Sequence, residues 1–224
     1  MIGAMKTKRI TLFVGHYGSG KTNIAVNYAL MLAKERPPVA LADLDIVNPY
    51  FRSKDSLADL TAAGVRLIAS PYAGGNLDLP ALPQEMYAVT DDKTLTAVLD
   101  VGGDDRGALA LGRLTPAILS ENDFECLAVI NRYRPLTGTP EETLEVLREI
   151  EGAGGVPITG LINNSNLGRE TTSKDVLASV SYAAEVSRLS GLPVRMTTAE
   201  RGVCASLTGK IPDLFPLNLQ KKIG

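Results

Sequence analysis

The sequence predicts a doubly wound α/β fold, a mostly parallel sheet with helices on both faces. Three observations predict it. Short apolar runs alternate with longer helix-periodic segments along most of the chain. Most of those runs are apolar on both faces, the pattern of strands covered on both sides. A glycine-rich turn from Gly15 to Gly20 joins the first apolar run to the first helical segment.

The first strand is expected at Arg9–Val14, behind a short flexible tail at residues 1–8. A helix over Lys21–Lys34, a strand at Val39–Ala42, a helix over Ser53–Ala62 and a strand at Val65–Ala69 follow. Pro71 to Pro83 then breaks the alternation. Its glycines and prolines predict a surface loop insertion, too short to be a domain. Strand Leu95–Leu99, helix Gly107–Leu119 and strand Glu125–Ile130 resume the pattern. The next helix, Pro140–Glu151, announces its own start. Thr139 caps it, Pro140 suits the first helical position and Glu142 closes a capping box. Gly152 to Gly155 is expected to end it. Strand Ile158–Ile162, helix Ser173–Leu189 and strand Pro193–Met196 complete the reading.

The bulk properties bound the function. With 224 residues, 45% of them hydrophobic, the chain fits one domain spanning residues 1–224. A net charge of −2 gives no global basic field, so no nucleic-acid partner is expected. No run approaches the roughly 18 apolar residues of a membrane span. No apolar stretch follows the basic residues of Met1–Arg9, so no secretory signal is read there and a cytoplasmic location is expected. The end of the chain, Ile211 to Gly224, is apolar and then basic. Its two prolines, Pro212 and Pro216, argue against a membrane-binding helix. Cys126 and Cys204 form no CxxC pair and read as core residues, a ligand from each of two subunits being the alternative.

The chemistry starts in the turn. Gly15-His16-Tyr17-Gly18-Ser19-Gly20-Lys21-Thr22 fits GxxxxGK[ST] in full, in the strand-to-helix context the motif requires. Glycines let backbone N–H groups wrap around phosphate oxygens, and the helix beginning near Lys21 directs its positive end at them. Lys21 supplies charge to the β- and γ-phosphates and Thr22 a hydroxyl to Mg²⁺. The cofactor-binding set is therefore Gly15, Tyr17, Gly18, Ser19, Gly20, Lys21 and Thr22.

Two further segments end apolar runs on acids. Asp43 and Asp45 follow the second strand, where ligands bind in open parallel sheets. Asp43 is expected near the Mg²⁺ water shell, and Asp45 in a position to orient an attacking water. Asp100-Val101-Gly102-Gly103 closes the fourth strand. Asp100 is expected to hold Mg²⁺ and Gly103 to approach the γ-phosphate. Asp104 and Asp105 read as cap or surface acids. In-line attack on a γ-phosphate needs mainly positioning and charge neutralisation, which Lys21, Mg²⁺ and Asp45 supply.

Together these motifs resemble the MinD/ParA class of P-loop ATPases, which includes the CobQ/CobB-type domains. The resemblance runs from about Arg9 to Thr198. It implies a Mg²⁺-dependent ATPase in which Asp45 and Lys21 are catalytic, switching in response to ATP and acting on a protein partner or a second copy of the chain. One position departs from it. The family's bridging lysine falls at His16, the only histidine in the chain. A neutral imidazole does not replace that cation well and a protonated one is the alternative, which puts a trans-acting dimer in doubt.

Guanine readers place a carboxylate four residues into an Asn-Lys-x-Asp run after a late strand. The corresponding Asn163-Asn164-Ser165-Asn166 has none, which favours adenine. Asn163 or Asn164 is expected at the adenine. The sequence does not choose between them, Asn131 competes for the role, and a plain turn is the alternative. Tyr50 and Phe51, in the loop after Asp45, read as a partner-facing pair or as core anchors. Besides the switch, two activities fit the motifs. One is a synthetase phosphorylating a carboxylate, as dethiobiotin synthetase and cobyrinic acid a,c-diamide synthase do. The other is a module that binds nucleotide without turning it over.

Overall fold

The computed structural model describes residues 7–44, 54–69, 84–103 and 105–219. Its strands form one sheet in the order β3-β2-β4-β1-β5-β6-β7-β8, and every neighbouring pair runs parallel. The strands are β1 (Ile10–Val14), β2 (Val39–Asp43), β3 (Val65–Ala69), β4 (Thr96–Asp100), β5 (Phe124–Ile130), β6 (Gly160–Asn163), β7 (Val194–Glu200) and β8 (Leu214–Leu217). The helices are α1 (Lys21–Glu35), α2 (Lys54–Ala62), α3 (Ala88–Asp91), α4 (Asp105–Glu121), α5 (Pro140–Gly154), α6 (Ser173–Ala178), α7 (Val180–Ser190) and α8 (Arg201–Cys204).

The central strands β1, β2 and β4 are buried at every position, as runs apolar on both faces require. Successive side chains divide between the faces. Leu12, Val14 and Leu99 join a cluster with Leu111, Leu114 and Ile118 of α4, Leu147 of α5 and Val186 of α7. Phe13, Leu41 and Val98 pack instead with Ile24, Tyr28 and Leu32 of α1. The predicted doubly wound architecture is what the chain adopts, and its sheet is parallel throughout. The order turns in opposite directions on the two sides of β1. That reversal opens a crevice at the carboxyl ends of β1 and β4.

Several elements differ from expectation. β8 lies in the segment read only as an apolar and basic tail, and it pairs in parallel with β7. The single helix expected over Ser173–Leu189 is two, split at Ser179. There the hydroxyl bonds back to Val176 O at 2.7 Å and competes with the helical ladder. α5 extends three residues beyond the expected Glu151, and within the run expected to end it Gly155 is the residue that closes it, with a left-handed φ of 67°. A 3-10 turn at Gln84–Tyr87 and the short α3 were not foreseen. The expected insertion at Pro71–Pro83 and most of the expected tail at residues 1–8 lie outside the described residues. Among the described residues, no helix is long and apolar enough to cross a membrane.

Candidate functional site

The turn between β1 and α1 sits at the carboxyl edge of the central strand. Ser19 N donates to His16 O at 3.2 Å, and Ile24 N donates to Gly20 O at 3.3 Å, the first turn of α1. Gly20 caps this helix in a left-handed conformation without a side-chain hydrogen bond, and no acid stands in the first turn. An α-helix presents unpaired N–H groups and a partial positive charge at that end, and here no side chain of the helix answers them.

Lys21 folds back over the turn. Its Nζ donates to Gly15 O at 2.9 Å and to His16 O at 3.2 Å. Both are neutral acceptors, which a phosphate oxygen outcompetes for an ammonium. Beside it, Thr22 Oγ1 donates to Asp100 Oδ2 at 2.6 Å. Asp100 is 1% exposed. It lies opposite Asp43 in the register of β2 and β4, and Leu44 N donates to Asp100 O at 2.9 Å. The fold thus brings Lys21, Thr22, Asp43 and Asp100 to one end of three adjacent strands. Asp43, Asp100 and Thr22 offer hard oxygens, the donor type that suits Mg²⁺, which takes one or two carboxylates and completes its shell with phosphate and water. Among the described residues, no group of three or more His, Cys, Asp and Glu is placed to hold a metal by itself.

The rest of the turn divides by exposure. Gly18 has a φ of 74° and nothing beside it. The Tyr17 side chain is 62% exposed. Ser19 is buried, and its hydroxyl has no hydrogen-bond partner among the described residues. His16 Nδ1 lies 3.1 Å from Tyr17 O. Gly103 presses on this turn from the β4 side. A Cβ there would stand 2.7 Å from Tyr17 N and 3.0 Å from Gly15 O. Behind that contact, α4 and α5 leave a cavity of about 130 Å³, bounded by Gly15, Gly102, Gly103, Leu111, Val146 and Ala153. Asp45, Tyr50, Phe51 and Asp104 lie outside the described residues.

The three candidate asparagines separate cleanly. Asn131 is fully buried and clamps two loops. Its Oδ1 accepts from Tyr133 N at 3.0 Å and Asn166 N at 3.3 Å, and its Nδ2 donates to Asn166 O at 3.4 Å. Asn163 turns toward the break between α6 and α7, donating to Ser179 Oγ at 2.9 Å. Asn164 alone turns toward the phosphate-type loop, where its Nδ2 donates to Ser19 O at 2.7 Å. Its Oδ1 accepts from Thr198 Oγ1 at 2.5 Å. Thr198 was not among the expected site residues, and no motif marks it. Cys126 is buried, and the Cys204 thiol donates to Ala199 O at 3.4 Å. Burial pushes the Cys126 thiol well up, and burial also raises the half-buried Cys204.

No family model matches the chain, and no curated protein matches it. Solved structures do. Chloroplast FtsY from Physcomitrella patens is 19% identical with a TM-score of 0.59, over 91% of this chain and 62% of that one. Cell division protein FtsY from Thermotoga maritima is 18% identical with a TM-score of 0.57, over 89% and 64%. The signal recognition particle receptor FtsY from Elizabethkingia anophelis, solved in complex with GDP, is 16% identical with a TM-score of 0.53, over 99% and 63%. The fold is that of a P-loop NTPase. At these identities the likeness carries the fold alone, and the chain spans under two thirds of each of the three proteins. The MinD/ParA resemblance is corrected by these neighbours, which are FtsY proteins. The motifs that suggested it are of a kind that phosphate chemistry demands, and they do not mark one branch of the fold.

Proposed function

We propose that the chain binds Mg·ATP in this loop and hydrolyses it slowly, as a nucleotide-controlled switch read by a protein partner. The observation that carries the reading is the convergence of Lys21, Thr22 and Asp100. An ammonium held by loop carbonyls lies next to a hydroxyl–carboxylate pair at the amino end of a helix without a side-chain cap. Lys21 exchanges its carbonyl partners for β- and γ-phosphate oxygens. Thr22, Asp100 and Asp43 are the residues to hold Mg²⁺, whose chemistry when bound is neutralisation of phosphate charge. Asp45 is assigned the orientation of the attacking water. Gly103, where a Cβ would collide with the Tyr17 backbone, would face the γ-phosphate. The cavity behind Gly102 and Gly103 supports a switch, because it gives that segment room to move.

Adenine is supported by the chemistry of the loop after β6. Asn166 spends its Oδ1 on Gly168 N at 3.0 Å and its Nδ2 on Asn164 O at 2.7 Å, and no carboxylate stands in the run 163–166. The GDP in the Elizabethkingia anophelis structure makes GTP the competitor to test.

Calorimetric titration of the protein with Mg·ATP and Mg·GTP, alongside phosphate release, decides the matter. ATP is expected to bind more tightly than GTP. Lys21→Ala is expected to weaken binding about 10- to 100-fold, the weight of charge-assisted hydrogen bonds. Binding and turnover left intact by Lys21→Ala reject the site, and preference for GTP rejects the base assignment alone.

A further inference from the structure

We propose that Thr198 and Asn164 form a strut from β7 through the end of β6 to the phosphate loop, and that this strut positions the loop for phosphate. The proposal rests on the reading of the loop as a nucleotide site. It assigns Asn164 to the loop and away from the base.

The carboxamide of Asn164 lies between two partners and is 4% exposed, with Thr198 at 2%. Ser19 O only accepts, so it requires the Nδ2 of Asn164 to face the loop, at 2.7 Å. That leaves Oδ1 toward β7, where the Thr198 hydroxyl donates to it at 2.5 Å. A reversed amide would set two carbonyl oxygens against each other. Thr198 therefore fixes which end of the amide meets the loop. The backbone of Asn164 is fixed as well. Its N donates to Ile130 O at 2.9 Å, and its O accepts from Asn166 Nδ2 at 2.7 Å. Contact with the loop is close enough that a Cβ on Gly20 would lie 2.2 Å from Asn164 Nδ2.

The consequence for phosphate follows from peptide geometry. Ser19 C=O and Gly20 N–H belong to one planar trans peptide and point in opposite directions. Holding the carbonyl on Asn164 aims the Gly20 N–H away from β6. This is the N–H that the strut presents to phosphate. Thr198 and Asn164 are positioning residues, because they act through the loop.

Titration with Mg·ATP, Mg·GTP and inorganic tripolyphosphate, which has no base, tests this. Thr198→Val is expected to weaken ATP and tripolyphosphate alike, about tenfold for one hydrogen bond in a buried network. The ratio of ATP to GTP affinity stays at the wild-type value, and Thr198→Ser restores both affinities. Asn164→Asp sets a carboxylate against Ser19 O and is expected to lose more than Thr198→Val. It carries the same test if Thr198→Val does not fold. Melting curves of each variant confirm that titrations run well below unfolding. Wild-type tripolyphosphate binding in Thr198→Val, or in Asn164→Asp where that variant stands in, overturns the strut. So does a change confined to the ATP:GTP ratio, which would make Asn164 a base reader. A wild-type protein that binds none of the three ligands overturns the nucleotide reading itself, and the strut with it.

Discussion

Single atoms decide much at the loop. Gly20 combines a φ of 96°, which L side chains rarely adopt, with no room for a Cβ against Asn164. Gly18 shares the positive φ, at 74°, but has open space around it. Gly20→Ala is therefore expected to cost more than Gly18→Ala in urea unfolding. The excess reflects displacement of Asn164, on top of backbone strain of about 1–2 kcal/mol common to both. Equal losses would show that the Asn164 contact yields freely. The strand–turn–helix around Lys21 and Thr22 was legible in the sequence because a glycine-rich turn there joins an apolar run to a helix-periodic one. The choice between Asn163 and Asn164 was not. Neighbouring residues at a strand end point to opposite sides, and only the sheet order shows which side holds the loop. Thr198 is further removed still, 34 residues from the amide it orients.

At the level of elements, local chemistry was read well and its limits are clear in α5. The capping box is formed as expected. Thr139 Oγ1 accepts from Glu142 N at 3.3 Å, and Glu142 Oε2 accepts from Thr139 N at 3.0 Å. Thr139→Ala is expected to lower unfolding free energy by about 1 kcal/mol in denaturant titration. A loss near zero would mean that Pro140 alone fixes the start of the helix. The other end falls inside the run Gly152 to Gly155 but at its far side, because a glycine inside a helix costs only about 1 kcal/mol. Packing against α4 covers this. Thr115 of α4 donates to Gly154 O at 2.9 Å, holding the last turn of α5 past Gly152. β8 escaped notice for a different reason. A strand of four residues with a central proline has no period to detect.

The molecule as a whole is tied together at the end opposite the loop. The Arg9 guanidinium donates to both oxygens of Glu121 at the end of α4. It also reaches Leu95 O at 2.9 Å and Val89 O at 3.1 Å. Lys93 Nζ adds a contact to Glu121 Oε2 at 2.7 Å. The Arg9 hydrogen bond, helped by Lys93, holds the Glu121 carboxyl below its ordinary value of 4.5, against the upward push of burial. A lowered folded-state value means this stabilisation is complete above the ordinary carboxyl range. It is lost as pH falls through the lowered value. The melting temperature of Glu121→Gln should therefore lie below wild type at neutral pH, with the gap narrowing as pH falls below about 4.5. A gap constant down to pH 3 would count against the ion pair. The alternation of strands and helices made the architecture legible. The placement of β1 between β4 and β5 depends on contacts between residues more than eighty apart, which no local pattern records.

Among the described residues, β8 is the last strand of the sheet on its side, and an outer edge strand is where an extended chain would add. Pro216, paired with Ala199 of β7, has no N–H to give. A rung is missing from the four-residue ladder that an intruding strand would have to copy. Sheet growth from this side is interrupted, so fibrillar association between copies is discouraged by the same proline that hid the strand from view.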